Sequence, residues 1–209
     1  MAQSLQLKWM TDGQDNPLDQ SAALYEATLT EFAERSFREA SLNDILKAAG
    51  MNKGSFYYRF SDKMELYLSL IYRVAMEKMR LFETSGVSRT SEGFFDEFRN
   101  MAILGLTLAK KDARFAAFSR RILEESPEVR ERITACFGNM SGTILTDMVE
   151  RAKRSGEFRA DLPTSTTVFV IETLLNHLDR LILPDWTDES VLEAVDRLLD
   201  VVRNGVGVS

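Results

Sequence analysis

GMNKGSFYYRFSDK, residues 50–63, places two tyrosines, two lysines and an arginine around Gly54 in a chain whose formal net charge is −6. On a helical wheel at about 100° per residue, residues 53–60 separate into two faces. Phe56 and Phe60 fall together, as anchors onto a preceding helix. Gly54, Ser55 and Tyr58 point the other way, while Lys53, Tyr57 and Arg59 flank the anchors and reach outward from their edges.

The residues just upstream supply a partner helix. Ser41 is an N-cap residue type, Leu42, Ile45, Leu46 and Ala49 form an apolar stripe, and Gly50 is a C-terminal stop. A helix over 41–49, a turn at 50–52 and a helix over 53–60 make a helix-turn-helix, whose second helix can enter a DNA major groove. In that role Gly54 lets a sugar-phosphate or base edge approach closely. Lys53 and Ser55 donate to base edges or phosphates, and Asn43 reaches a base. Ser41, Tyr57, Tyr58, Arg59 and Lys63 suit phosphate oxygens, and such contacts set register more than sequence. The alternative is that the tyrosines are partly buried packing residues in an ordinary helical protein, because a helix-turn-helix by itself is a weak cue.

Further out, helical grammar continues. Residues 1–18 are polar, with Gly13 and Pro17, and read as a frayed, flexible tail whose Trp9 is either a docking residue or, more simply, incidental. A first helix opens at Asp19 or Ser21 with Leu24, Ala27, Leu29, Phe32 and Ala33 inward, and Asp62 with Glu65 opens a long one through Leu66, Leu70 and Val74. Thr90 or Ser91 starts a helix to about Lys110, and Asp112 one to about Glu125. Ser126-Pro127-Glu128 launches a long helix stopped by Gly156. Thr164 starts one that Pro184 ends, and Thr187 the last, to about Gly205. About nine helices are expected, and the fold class is all-α.

Composition narrows the function. With 209 residues and 44% hydrophobic side chains, the chain buries a sizeable core. The single cysteine, Cys136, excludes an intramolecular disulfide and a multi-thiolate metal site. The first twenty residues lack the apolar core of a signal peptide, and no apolar run approaches the ~18 residues of a membrane span, so a cytoplasmic location is expected. Residues 21–80 carry nine Lys/Arg against eight Asp/Glu, the remainder 17 against 24. The one mildly basic third therefore contains the helix-turn-helix.

The run LYEATLTEFAERSF, then SLNDILKAAGMNKGSFYYRFSDKMELY, covering 24–37 and 41–67, resembles the DNA-binding domain of the tetracycline-repressor (TetR/AcrR) family of bacterial regulators. Ala49-Gly50-Met51, Lys53-Gly54, Tyr57-Tyr58, Phe60, Lys63 and Leu66 stand at the family's spacing. The resemblance implies that Ser41, Asn43, Lys53, Gly54, Ser55, Tyr57, Tyr58, Arg59 and Lys63 occupy DNA-contacting positions. It also implies a DNA-binding domain at 19–65, a ligand-binding and dimerisation domain at 66–209, a palindromic double-stranded DNA operator, a homodimer and a small-molecule effector. Ser36 departs from the family's usual glycine in the turn after the first helix, which points to strain or a different turn shape there. The N-terminal extension is acidic and polar where many relatives carry a basic arm.

The C-terminal part carries no nucleophile elbow, phosphate loop or paired metal-ligand motif, and neither cofactor nor metal is implied. His177 is the only histidine, and it reads as a pocket hydrogen-bond donor, a pH-sensitive interface group or an ordinary core residue. Phe98, Met101, Phe115, Phe118 and Met140, with His177, are candidates to line an apolar pocket. Val168, Ile171, Leu175 and Leu178 form one stripe, and Val191, Val195, Leu198 and Val202 another. Paired across a two-fold axis they would give a four-helix bundle, the alternative being that both stripes serve the chain's own core. The expectation is a ligand-responsive transcriptional regulator, most simply a repressor released by a small apolar or amphipathic molecule. The competing classes are a scaffold that does not bind DNA and an enzyme built on His177.

Overall fold

The structure is a computed structural model of the whole chain, described here for residues 7–84, 93–138, 140–176 and 187–206. Every regular element among these residues is a helix. In chain order they are α1 (Lys8–Thr11), α2 (Ala22–Glu34), α3 (Leu42–Ala48), α4 (Lys53–Arg59), α5 (Lys63–Thr84), α6 (Phe94–Lys111), α7 (Ala113–Glu124), α8 (Pro127–Phe137), α9 (Met140–Arg154), α10 (Thr164–Asn176) and α11 (Asp188–Val206). No helix of the described residues is long and apolar enough to cross a membrane.

Most boundaries follow from local chemistry. The side chains of Ser21, Ser41, Asn52, Asp112 and Ser126 each accept a backbone N–H at the start of the following helix. At the end of α3, Gly50 sits at φ +62°, with its N–H on the Lys47 carbonyl at 3.2 Å and the Met51 N–H on the Leu46 carbonyl at 2.9 Å. These two bonds are a Schellman closure, and the left-handed residue inside it is the one position where glycine costs no strain. The expected single helix over 126–156 is two helices, because Gly138 adopts φ +69° and closes α8 with its N–H on the Thr134 carbonyl. That break and α1 raise the number of helices among the described residues from the expected nine to eleven.

Packing divides the chain into two compact units, the first comprising Met1–Leu81 with Leu108–Gly138, the second Phe82–Thr107 with Asn139–Ser209. The first therefore draws in α7 and α8, whereas the sequence reading starts a second domain at residue 66. Its core joins Leu24, Leu29 and Phe32 of α2, Ile45 and Leu46 of α3, Phe56 of α4 with Phe60 at its end, Leu66, Tyr67 and Leu70 of α5, and Phe115 and Phe118 of α7. Phe56 and Phe60 are wholly buried and stacked at 5.3 Å, so each anchors α4 with about 1.5–3 kcal/mol of apolar burial.

Residues 7–18 are not a frayed tail. Leu7, Trp9, Asn16 and Leu18 are buried, and the segment lies along one face of α5. There the Trp9 indole N–H donates to Ser69 Oγ at 2.8 Å, Asn16 Nδ2 donates to the Ser69 carbonyl at 2.9 Å, and Trp9 meets Tyr72 edge-on at 5.3 Å. Arg73 adds an ion pair to Asp19 at 3.1 Å, a hydrogen bond to the Leu18 carbonyl and a cation–π contact on Tyr25. The apolar content of the segment is too sparse and irregular to announce this in sequence. Its partners are more than fifty residues away.

In the second unit Phe94, Phe95, Phe98 and Phe158 pack with Leu145, Met148 and Val149 of α9, Val168 and Ile171 of α10, and Val195, Leu199 and Val202 of α11. Glu157 accepts the Phe94 N–H at 2.8 Å, and Arg99 pairs with Asp196 at 2.8 Å.

Candidate nucleic-acid interface

The helix-turn-helix is assembled by buried carboxylates as much as by its apolar anchors. Glu31 of α2 is 8% exposed and accepts the Ser41 N–H at 2.8 Å and Arg35 at 2.6 Å. It thereby satisfies the backbone where α3 begins. The Ser41 oxygen in turn accepts the Asp44 N–H at 3.2 Å, which leaves its hydroxyl proton free for a phosphate oxygen. Ser36 causes no strain: no described residue other than glycine has positive φ, and the Ser36 N–H and hydroxyl both donate to Glu39 Oε2, at 3.2 and 2.7 Å.

On α4, Asn52 Oδ1 accepts the Ser55 N–H at 2.8 Å. A Cβ on Gly54 would lie 3.3 Å from that oxygen and otherwise meet open space, so glycine keeps both the cap and a bare, approachable backbone. Lys53 and Gly54 are exposed and Ser55 is half-buried, as is Arg59, whose Nη1 donates to the Ser55 carbonyl at 2.9 Å. Asn43 is exposed on α3. Tyr57 and Tyr58 are 53% and 77% exposed, which removes the reading of the pair as core packing. Tyr57 keeps only an edge contact on Phe56, at 5.1 Å.

Lys63 behaves differently from the phosphate clamp expected of it. Its Nζ donates to the carbonyls of Phe37 and Ala40, at 2.7 and 2.8 Å, and stands 4.6 Å from the centre of the Phe37 ring. Burial holds its pKa below the ordinary lysine value, against the opposing pull of the Glu125 and Glu31 carboxylates. Lys63 thus fastens the turn between α2 and α3 from beneath. The same turn is held from the other side by Glu125, 6% exposed at the end of α7, whose Oε1 accepts the Phe37 N–H at 2.6 Å and the Tyr67 hydroxyl at 3.3 Å. Burial, and then the Glu125 charge and hydrogen bond, push the Tyr67 pKa far above that of an ordinary tyrosine.

The electrostatic pattern distinguishes this surface. Lys8, Arg35, Arg38, Lys47, Lys53, Arg59 and Lys63 are the cations of residues 7–63, and among the described residues only Arg35 has a carboxylate within ion-pair distance. Elsewhere a larger share of the described cations is matched, as in Arg73–Asp19, Arg114–Glu26, Lys111–Glu77 and Arg151–Glu97. Unmatched charge on an acidic chain is what a polyanion recognises. Sequence periodicity missed Arg38 and Lys47, both exposed, and the positioning carboxylates Glu31 and Glu125. Arg38 and Lys47 are legible only as charges off the apolar stripe, and Glu125 has no local signal at all.

The other candidate residues are divided between the two units. Phe115 and Phe118 fill the core of the first unit, whereas Phe98 belongs to the core of the second and Met101 is 39% exposed. The Met140 side chain and His177 lie outside the described residues. Val168, Ile171, Val195, Leu198 and Val202 are buried within the protomer and Val191 is half-buried, so those stripes serve the chain's own core. The Leu175 side chain and Leu178 lie outside the described residues. The apolar side chains that α10 and α11 turn outward are instead Phe169, Val170 and Val201, at 68%, 40% and 66% exposure. Helical periodicity identifies stripes but not which of two faces a neighbour covers.

Comparison with known proteins agrees with this geometry. The profile of the family described as "Bacterial regulatory proteins, tetR family" matches residues 24–70, the segment from α2 into α5. The chain is 21% identical over 189 residues, 90% of its length and 95% of the relative's, to the HTH-type transcriptional repressor AcnR of Corynebacterium efficiens. It is 28% identical over 179 residues to the HTH-type transcriptional repressor Rv1474c of Mycobacterium tuberculosis, covering 84% and 86% of the two chains. In fold it is similar to a TetR family transcriptional regulator from Chloroflexus aurantiacus (TM-score 0.70, 22% identity, 90% and 93% covered). It is also similar to the transcriptional regulator FadR from Bacillus subtilis in complex with stearoyl-CoA (TM-score 0.69, 17% identity, 88% and 98% covered). Residues 24–70 thus match the tetR family of bacterial regulatory proteins, and over most of its length the chain is similar to repressors and shares the all-helical fold of such regulators.

Proposed function

We propose that the protein is a homodimeric transcriptional repressor that binds a palindromic DNA operator and releases it when a small apolar or amphipathic molecule binds the C-terminal domain, residues 66–209. The observation that carries this reading is the outward face of α3 and α4, where unpaired cations, two exposed tyrosines and a bare glycine backbone stand together on a chain of net charge −6. Lys53, Ser55 and Asn43 are its candidate base readers. Ser41, Tyr57, Tyr58 and Arg59 are its candidate phosphate contacts, and Lys63 acts by holding the α2–α3 turn.

Two-fold symmetry presents one such face to each half-site. The outward side chains Phe169 and Val170 of α10 and Val201 of α11 support a dimer formed through those helices. An effector shifts the equilibrium only by binding the DNA-incompetent arrangement more tightly. The stearoyl-CoA bound in the Bacillus subtilis FadR structure supports an effector with a long apolar part. The function is one of binding, with no catalytic step assigned.

The test is fluorescence anisotropy with labelled duplexes tiling the sequence upstream of the protein's own gene, across a salt series. Affinity should fall steeply with salt and concentrate on a duplex carrying a palindrome. Lys53→Ala and Asn43→Ala should change which duplex is preferred, whereas Tyr58→Phe should weaken all duplexes alike. Binding that is independent of salt, or indifferent to sequence at every salt concentration, refutes the repressor reading and favours a scaffold role.

A further inference from the structure

The acidic N-terminal segment carries one lysine, and the fold puts it on the DNA side of the molecule. Lys8 opens α1, and its backbone N–H donates to Glu65 Oε1 at 2.5 Å, while Glu65 Oε2 accepts the Ser61 N–H at 2.6 Å. One buried carboxylate thus ties the start of α1 to the turn between α4 and α5. Trp9, locked on Ser69, fixes the next residue. The position of Lys8 is therefore set at two adjacent points of the backbone.

Its exposed side chain runs to the end of α4, where Nζ donates to the Tyr58 carbonyl at 3.2 Å. That carbonyl belongs to the last turn of the recognition helix, where partial negative charge collects, so the ammonium is attracted there. A cleft of about 160 Å³ lies beside it, lined by Lys8, Trp9, Asp12, Pro17, Tyr58 and Arg59 among others. Lys8 and Arg59 bring two positive charges that no carboxylate among the described residues matches, and Asp12 is the single acid on the lining. An ammonium has three protons, and among the described residues the Lys8 side chain commits one.

We propose that Lys8 is a DNA-contacting residue, taking a backbone phosphate of the bound duplex together with Arg59 in the cleft between α1 and the last turn of α4. The proposal rests on the DNA-binding reading above and adds to it a contact from a segment that lies before the helix-turn-helix. A tail lysine would be a diffuse charge; one fixed through Glu65 and Trp9 is a positioned one. The contact is to phosphate and so carries no base preference.

The experiment uses the full chain and a fluorescein-labelled 30-base-pair duplex of mixed sequence, so that no operator need be known. Anisotropy titrations across a salt series give the slope of log K against log salt for the wild type, Lys8→Ala, Lys8→Arg and Lys53→Ala. Lys8→Ala should lower the magnitude of the slope by about one counterion, and Lys8→Arg should restore it. Lys8 is exposed, and unchanged circular dichroism and melting temperature show that the variant is folded. An unchanged slope for Lys8→Ala overturns the proposal even if affinity falls, because the loss then comes from the end of α4 and not from a phosphate. A wild-type protein without salt-dependent binding overturns the DNA-binding reading itself, and Lys53→Ala tells the two failures apart.

Discussion

Replacing Glu125 tests how the helix-turn-helix is held in shape. Its carboxylate is 6% exposed and accepts the Phe37 N–H and the Tyr67 hydroxyl, 88 and 58 residues away. Glu125→Ala leaves two donors without a partner. The fully buried Tyr67 hydroxyl costs about 1–3 kcal/mol and the half-buried Phe37 N–H about 1 kcal/mol, from which relief of burying a charge subtracts part. The net expectation is about 2–3 kcal/mol. Glu125→Gln keeps one acceptor oxygen and should cost about 1 kcal/mol. In a Tyr67→Phe background Glu125→Ala should cost about 1 kcal/mol less than in the wild type, because no hydroxyl is then orphaned. Urea unfolding at one fixed protomer concentration supplies the stabilities, and hydrogen exchange at the Phe37 amide reports the turn locally. A cost below about 0.5 kcal/mol for Glu125→Ala, or strict additivity with Tyr67→Phe, would show that this carboxylate does not hold the turn.

Two further outcomes follow from other parts of the molecule. Tyr67 has a folded pKa raised above its ordinary value of 10.0, so its contribution is complete below about pH 10 and is lost as pH rises further. Tyr67→Phe should therefore flatten the alkaline fall of the melting temperature above pH 10, and an unchanged alkaline limb would contradict the burial and charge assigned to that hydroxyl. Phe169→Asp should dissociate the proposed dimer: covering two-thirds of a phenylalanine on each copy is worth about 1–2 kcal/mol, hence a dissociation constant raised roughly 30- to 1,000-fold by analytical ultracentrifugation. An unaffected dimer would place the interface elsewhere.

Features that depend on neighbours within a few residues were legible in the sequence. The Ser21, Ser41, Asp112 and Ser126 caps, the Gly50 closure and the Phe56 and Phe60 anchors all arise from contacts spanning at most one or two turns of helix, where residue type and spacing dictate geometry. The exposed chemistry of Lys53, Gly54, Tyr57 and Tyr58 is of the same kind, since it needs only that the opposite face be buried. The stripes of α10 and α11 show where this legibility stops. Val168, Ile171, Val195 and Leu198 share an apolar face, but a core neighbour and a second subunit demand the same pattern.

By itself the sequence determined an all-helical chain, the limits of most of its helices and which side chains the helix-turn-helix turns outward. Only the tertiary structure decided that residues 7–18 are bound along α5, that Lys63 holds a turn, that Glu125 grips that turn from the end of α7, and that Lys8 stands beside Tyr58 and Arg59. The physical reason is the separation of the partners. A hydrogen bond or ion pair across more than twenty residues leaves no periodic trace, because either group could pair with many others until the core brings one of them within 3 Å.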